Sequence, residues 1–449
     1  MRTSLFLLLI INCLPAYSQC LSDIDPGDNH SIAITAGGEL LTWGYNAYGQ
    51  IGDSTNATRS ALTQIGTETD WISVKAGGNH SIALKTDGSL WAWGRNVQGE
   101  LGTGNNSNKI VPTRIGSDND WSKIFTGSFN TFAQKTDGSL WATGYNYFGQ
   151  LGDSTTSTKN SFVSIGNHTD WEYLSPGANH TMALKNDSTL WAWGGGFLGI
   201  SSGSFDSRVP NQVGTDTWLS VSAGSNHSTG VKSNGSLWTW GQNNKGQLGD
   251  STLVNKALPV QIGSDTNWSK VAAGFEHTIA VKADGTMWSW GEGAYGQLGI
   301  GSGFDQIAPV QVGTSTDWLS IWIDENHNVA MKTDGSLWVW GENTYGQLGV
   351  SSGGNAPQLL ACSILAVKAN ELNSQEFSIY PNPATDILHI TNNFSDQIVK
   401  VSIHDLQGRI VWQSYSLQNT FDISHLNHGI YILQIETESN TMLNKFIKQ

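Results

Sequence analysis

The chain has 449 residues, of which 37 are acidic and 23 basic, giving a formal charge of −14; only 13% are charged, while Gly occupies 52 positions and Trp 20. So low a charge content, about half the usual ~25%, excludes long solvent-facing helices, whose outer faces need Lys and Glu. Net acidity excludes a binder of nucleic-acid backbones, and a 38% hydrophobic content rich in Trp excludes a disordered chain. A Gly-rich, Trp-rich, all-β protein remains.

At the N-terminus Arg2 precedes an apolar run from Leu5 to Leu14, followed by Ala16-Tyr17-Ser18. Positive charge, apolar stretch and small-residue cleavage site define a secretory signal peptide, residues 1–18, whose removal leaves Gln19 first. The run is too short for the ~20 residues of a membrane-spanning helix, and no other segment approaches that length, so no transmembrane segment is expected in the mature chain. Acylation of Cys20 is a minor alternative, for which Gln19 is a poor neighbour. Cys13 leaves with the signal peptide. An exported chain retaining Cys20 and Cys362 points to a disulfide between them.

Internal repetition dominates the chain from Cys20 to Cys362. His30, His80, His180, His227, His277 and His327 recur at one slot, with Asn130 in the remaining copy, at steps of 50, 50, 50, 47, 50 and 50 residues. A Trp-Gly landmark keeps step with them, from Gly44 and Gly94 to Gly341. Within one unit Trp71 to Ala76 and His80 to Lys85 alternate apolar and polar, Leu90 to Trp93 is continuously apolar, and Ile110 to Ile115 closes the unit. Asp87-Gly88 between the second and third segments is a strong hairpin signal, repeated at Asp137-Gly138, Asn234-Gly235, Asp284-Gly285 and Asp334-Gly335. Four short strands per ~50 residues, seven times over, predict a seven-bladed β-propeller. Trp91 and Trp93 lie two apart and share a sheet face; the 18 repeat-phased Trp are expected between blades, and Trp322 stands outside the phase.

The Leu-Trp-x-Trp-Gly and Gly-Gln-Leu-Gly runs, preceded by Gly-x-Asn-His, resemble the repeat of the regulator of chromosome condensation family over residues 20 to 365. The resemblance implies a seven-bladed propeller, here residues 19–365. Cys20 and Cys362 fall at its first and last strands, the ring seam, where a bridge closing a 342-residue loop would contribute about 5 kcal/mol as an upper figure.

After a linker at 366–374 the composition changes. Residues 375–449 carry short alternating strands of a small immunoglobulin-like β-sandwich. Tyr380-Pro381-Asn382-Pro383, then Gly408, Gly429 with Tyr431, and the closing Lys445 and Lys448, resemble the C-terminal sorting domain of the type IX secretion system. The resemblance implies recognition by that secretion machinery and delivery to the outer-membrane surface or medium of a Gram-negative bacterium, with signal peptide and sorting domain removed.

The aligned His residues are expected to serve blade geometry, each hydrogen-bonding a neighbouring turn, because a catalytic group is needed once and not in every repeat. No metal-ligand spacing or activated nucleophile is visible, so no cofactor or metal and no enzymatic activity are expected. Gly-Asp-Ser-Thr, as in Gly52 to Thr55, reads as a turn in which Asp caps its own backbone. Departures from the repeat are the remaining clue. Before the His slots lie Phe129, Phe275, Glu276, Asp324 and Glu325; after Trp-Gly come Tyr45, Arg95, Tyr145, Gln242, Glu292 and Glu342. From these, Tyr45, Arg95, Phe129, Tyr145, Phe275, Glu292, Trp322 and Glu342 are the candidate partner-binding residues, aromatic and Arg types being enriched at interface anchors. Because members of this family differ in function, the fold does not choose one. A secreted, non-enzymatic scaffold binding a protein partner is the leading expectation. A glycan-binding or adhesion module on surface polysaccharide is the first alternative, and an enzyme with converging acid–base groups in the central channel the second.

Overall fold

The computed structural model describes residues 21–200, 206–360, 377–380, 384–392, 398–404, 410–414, 420–426, 429–437 and 441–448. The expected signal segment and linker, Cys20, Cys362, Pro381, Asn382, Pro383 and Gly408 lie outside them, and with them the expected cleavage site and disulfide. The chain divides into two compact units, Leu21–Ala361 and the C-terminal strands.

In the first unit each repeat folds as an antiparallel meander. The second repeat pairs Trp71–Ala76, His80–Lys85, Leu90–Gly94 and Lys109–Arg114 in chain order. Seven such four-stranded modules are described, the fourth and fifth joined by one continuous strand, Asp206–Ala223. The second strand is buried along its whole length, whereas the fourth is largely exposed. This gradient follows from stacking, since the inner strands are covered by neighbouring modules on both sides. Gly94, which ends the third strand, takes φ of 98°, and a Cβ there would stand 2.7 Å from the Asn79 carbonyl oxygen. The Trp-Gly landmark is therefore a close approach between third strand and first turn that a side chain would block.

Between modules the second Trp of the pair is the main filler. Trp93 has no exposed surface and packs with Ile32, Ile34, Ile51 and Trp71, while Trp91 lies partly buried against the same cluster. The indole Nε1 of Trp93 donates to the Gln50 carbonyl of the preceding module at 2.9 Å. The same carbonyl accepts the Ser81 hydroxyl at 2.9 Å, and Ser81 Oγ in turn meets Nε2 of His30, again at 2.9 Å. The repeated His, Ser or Thr, Trp and Gln thus form one clasp between neighbouring modules. The His partner is a strand side chain of the next module, a Ser or Thr hydroxyl or, for His277, the Asn328 amide oxygen, and not a turn, which corrects the expectation from sequence. Because the hydroxyl proton is committed to a carbonyl, the His must donate through Nε2–H, leaving Nδ1 without a proton. Nδ1 of His30, His227, His277 and His327 indeed has no partner.

The ring closes with the same set. His327 Nε2 lies 3.3 Å from Ser31 Oγ, Ser31 donates to the Gln347 carbonyl at 2.8 Å, and Trp43 Nε1 donates to that carbonyl at 2.8 Å. First and last modules therefore meet as any neighbours do.

The clasp is incomplete at three places: Thr143 stands in one Trp slot, Trp240 Nε1 is buried without a partner, and one His slot is lost. Asn130 fills a His slot, is fully buried, and neither of its side-chain polar atoms has a partner. Thr181 in the next module already donates to the Gln150 carbonyl at 2.9 Å, so its oxygen can accept. Asn130→His is expected to complete the clasp and raise stability by about 1 kcal/mol, read as a higher denaturant midpoint at unchanged slope; a lower midpoint would show that the shorter amide is what this slot requires.

At the other edge of the ring, Lys85 Nζ sits 4.5 Å from the Trp71 ring and 4.8 Å from the Trp91 ring, and pairs with Glu68 and Asp70 at 3.1 Å each. Lys135, Lys185, Lys232, Lys282 and Lys332 repeat this stacking on their own Trp pairs. The phased Trp are thus occupied in packing, as their phase predicts. Asp53 of the Gly-Asp-Ser-Thr run accepts the Thr55 N–H at 3.0 Å and the Thr55 hydroxyl at 2.7 Å, the self-capped turn read from sequence.

The C-terminal unit comprises two antiparallel sheets. One contains Phe377–Tyr380, Ile387–Asn392 and Thr420–Asp422; the other contains Ile410–Ser414, Ile398–His404, Gly429–Thr437 and Thr441–Lys448. They share a core that includes Leu388, Val401, Phe421, Leu433 and Tyr431. Of the sorting-motif residues, Tyr431 is buried there and Tyr380 is exposed, stacked on His389 with ring centroids 5.2 Å apart. Lys448 is buried 3.8 Å from Asp386. Gly429 opens its strand opposite Lys448, and Lys445 lies opposite Ile432. Among the described residues no helix is long and apolar enough to cross a membrane.

Candidate functional site: the ring face and central channel

In a four-stranded meander the first and third connections fall at one edge and the second at the other. The backbone ties them together here: Tyr45, Arg95, Tyr145, Glu292 and Glu342 donate their N–H groups to the carbonyls of Asn29, Asn79, Phe129, Glu276 and Asn326, at 2.8 to 3.0 Å. Both sets of departures from the repeat therefore share one face of the ring. The opposite edge carries the recurring Asp-Gly or Asn-Gly hairpins.

The face is divided in character. On modules two and three, the Arg95 guanidinium lies over Phe129 at 5.1 Å, and Phe129 meets Tyr145 edge-on at 6.4 Å. Tyr145 stacks with Tyr147 at 6.5 Å, and Tyr147 is 68% exposed. Arg95 is also paired with buried Glu100, whose carboxyl burial pushes up against the pull of Arg95. Tyr45 does not join this cluster; it packs on Tyr345 across the seam at 4.6 Å. Modules six and seven are acidic. Glu292 pairs with Lys245 at 2.9 Å, Glu342 accepts from Asn326 Nδ2 at 3.2 Å, and burial raises Glu276 with Glu292 adding to the effect. Phe275 is 44% exposed, and its N–H donates to the Glu325 carbonyl at 3.0 Å.

Trp322 lies apart from these loops. The first strands of all modules line the central channel, a cavity of about 390 Å³, and Trp322 belongs to its wall. Its slot elsewhere holds Asp25, Lys75, Phe125, Ser175, Ser222 and Ala272, each of which also lines the channel. Asp25 is paired with Lys75 at 2.8 Å and accepts the Ala76 N–H at 3.0 Å. Burial by the channel walls is the largest cause acting on Asp25 and raises its carboxyl, with Lys75 opposing it.

Nearer the ring face, a second tier lies two residues before each His. Asp28, Ser128, Ala178, Ser225, Phe275 and Glu325 line the cavity there. Gly27, Gly77, Gly127, Gly177, Gly224 and Gly274 precede this tier, and Asp324 replaces them in module seven. A Cβ at Gly77 would stand 2.1 Å from the His80 ring. Module seven accordingly reshapes its turn: its first strand runs one residue further, Trp318–Asp324, Asp324 pairs with His327, and Glu325 takes φ of 21°. Burial raises Asp28 and Asp324 well above the ordinary range, each reinforced by a neighbouring carboxyl, and lifts Glu325 to about 8 with help from Asp28 and Glu342. Asp28, Tyr147 and the Asp25–Lys75 pair did not stand out as site residues in the sequence. The signal for Asp28 was the identity of the tier itself, which acquires meaning once it is known to line a channel.

A ring of repeated four-stranded modules around a lined channel defines the chain as a β-propeller with a small β domain appended. Residues 37–84, 87–134, 234–281 and 284–331 match the regulator of chromosome condensation (RCC1) repeat, and a second description of that repeat matches 22–50, 71–100, 218–247, 268–297 and 325–347. Residues 378–449 match the secretion system C-terminal sorting domain. The chain belongs to the RCC1-repeat proteins and carries a type IX sorting tail. Among solved structures it is similar to that of Kap60 bound to yeast RCC1 (Prp20), at 18% identity and TM-score 0.63 over 80% of this chain and 89% of that one. It is likewise similar to Prp20p from Saccharomyces cerevisiae, at 21% identity and TM-score 0.61 over 78% and 84%, and to human WBSCR16, at 18% identity and TM-score 0.62 over 70% and 86%. No curated protein matches the chain significantly.

Proposed function

We propose that the protein is a secreted propeller that binds another protein through the ring face built from its first and third connections. The observation that carries this reading is the segregation of its irregular residues. Positions that hold the modules together repeat, whereas Arg95, Phe129, Tyr145, Phe275, Glu292 and Glu342 depart from the repeat on one face, while the opposite edge keeps its recurrent hairpins. A rigid scaffold with variable loops on one side is how binding surfaces are commonly built. Prp20, whose fold is similar, is described in complex with Kap60, so a ring of this kind can carry a protein interface.

Acid and base groups do converge in the channel, as an enzyme there would require. Binding is favoured because the Asp25–Lys75 pair is mutually satisfied, one Asp25 oxygen held by Lys75 and the other by the Ala76 N–H. The sorting tail supports export, with Ser18 as the reading for signal cleavage and the cell surface or medium as destination.

Immobilised full-length protein is expected to capture a discrete, protease-sensitive partner from surface extract or culture supernatant. Phe129→Ala with Tyr145→Ala should reduce capture more than about tenfold, and Glu68→Ala at the opposite edge less than about twofold. Equal capture by the double variant would move the interface off this face, and retention of protease-resistant polysaccharide instead would replace the reading with a glycan-binding one.

A further inference from the structure

The mouth of the channel beside modules one and seven has an unbalanced lining. Asp28, Asp324 and Glu325 stand there, and Lys75, the one basic residue in the cavity lining, is already held by Asp25. Arg95, whose charge reaches Asp28, is held by Glu100. Among the described residues, then, three carboxyls face the cavity without a cation paired to them. Their placement is not incidental to the repeat, since Asp324 stands where six modules require Gly and the turn is rebuilt around it. A break in a local rule that the other modules obey marks a site selected for something besides folding.

The walls supply an independent feature. Phe125 and Trp322 on the first strands, with Phe129 and Phe275 at the mouth, line the same cavity, whereas the phased Trp are consumed between modules. Ring faces beside carboxylates recognise an ammonium or guanidinium by two attractions at once, charge pairing and cation–π contact. The cavity, at about 390 Å³, falls within the ~300–1,000 Å³ of ligand clefts.

We infer that the channel mouth receives a Lys or Arg side chain from a basic segment of the partner protein, seated between Asp28, Asp324 and Glu325 and the aromatic wall. This rests on the reading of the ring face as a protein-binding surface and names the chemistry of what binds. Glu325, lifted to about 8, holds a proton below that pH while the site is empty, so a cation displaces it as it enters. The charged groups acting on the trio from around it are Asp25, Arg95 and Glu342, with Lys75 held by Asp25. Binding should therefore strengthen as pH rises through about 8, the value of Glu325.

The test is calorimetric titration of the full chain with a blocked Gly-Gly-Arg-Gly-Gly peptide and its citrulline counterpart, the same shape without the charge, at pH 6, 7.5 and 9. The Arg peptide is expected to bind at least about tenfold more tightly than the citrulline peptide, to tighten with pH, and to release protons, seen as a dependence of the heat on buffer. Asp324→Gly, which restores the residue of the other modules and should fold at least as well, is expected to abolish that discrimination; Glu325→Gln should weaken it about tenfold, and Trp322→Leu less. Equal binding of both peptides, or no Arg-peptide binding at pH 9, would overturn the inference. If a protein partner is still captured through Phe129 and Tyr145 while Asp324→Gly leaves that capture unchanged, the cation seat fails and the ring-face reading stands.

Discussion

Lowering the pH from 6.5 towards 4.5 is expected to unfold this protein steeply. His30, His80, His227 and His327 are held at about 3, and His180 and His277 at about 4, chiefly by burial. The physical reason is the clasp. Nε2 already donates to the neighbouring module, so in His30, His227, His277 and His327 a second proton would go to a buried Nδ1 without a partner. In the unfolded chain these six groups titrate near 6.5. The unfolded state thus binds an excess of protons that grows from about three at pH 6.5 towards about six as the pH falls, so stability present above 6.5 is progressively lost. Asp28, Asp324 and Glu325 act in the opposite sense: their folded values are raised, so protons they keep in the native state are released on unfolding, which offsets part of the loss. Asp25, Glu100 and Glu276, also raised, moderate the loss towards its acid end. Denaturant titrations at half-unit steps check this. Asp28→Asn, Asp324→Asn and Glu325→Gln combined should raise stability at neutral pH and steepen its loss towards acid; a flat profile between pH 6.5 and 4.5 would mean that the histidines are not the neutral donors described.

Trp93→Ala should be the most damaging single substitution in its module. The indole is fully buried between two modules and donates to Gln50, so its removal leaves a cavity that neither rigid sheet can close. A loss of about 3–5 kcal/mol is expected. Trp91→Ala, two residues away on the same sheet face but only partly buried under Lys85, should cost about 1–2 kcal/mol. Trp93→Phe separates packing from hydrogen bonding: it keeps most of the filling and loses only the Nε1 donor, at about 1 kcal/mol, because the Gln50 carbonyl still has the Ser81 hydroxyl. Equilibrium unfolding of the three variants orders them, and equal costs for Trp91→Ala and Trp93→Ala would show that the interface between modules is not where the energy lies.

Most of the architecture was legible in the residues because repetition multiplies every local signal. An Asp-Gly hairpin or an alternating first strand specifies little alone, but the same pattern at one period leaves few folds that can use it. Trp71–Ala76 and His80–Lys85 begin and end where alternation places them. The fourth strand starts at Lys109, one residue before Ile110, because its exposed side chains give the weakest pattern. The phased Trp were readable as packing for the same reason: what recurs in every module serves the module.

The candidate site was legible as a set of exceptions and not as a place. Arg95, Phe129 and Tyr145 could be picked out as departures from the repeat, but their contact depends on two modules being set side by side. Trp322 was visible as a residue out of phase, yet its slot faces a channel that exists only when the ring closes, so it was grouped with loop residues from which the structure separates it. The His residues were assigned to geometry correctly and to the wrong partner, since a neighbour 51 residues away cannot be read from local spacing. By itself the sequence determined the strands, their hairpins, the number of repeats and the sorting tail, because these depend on residues close together in the chain. The tertiary structure alone decided which edge gathers the irregular loops, which residues line the channel, and which carboxyls stand unpaired there, because burial and charge proximity are properties of surfaces that form only when distant modules meet.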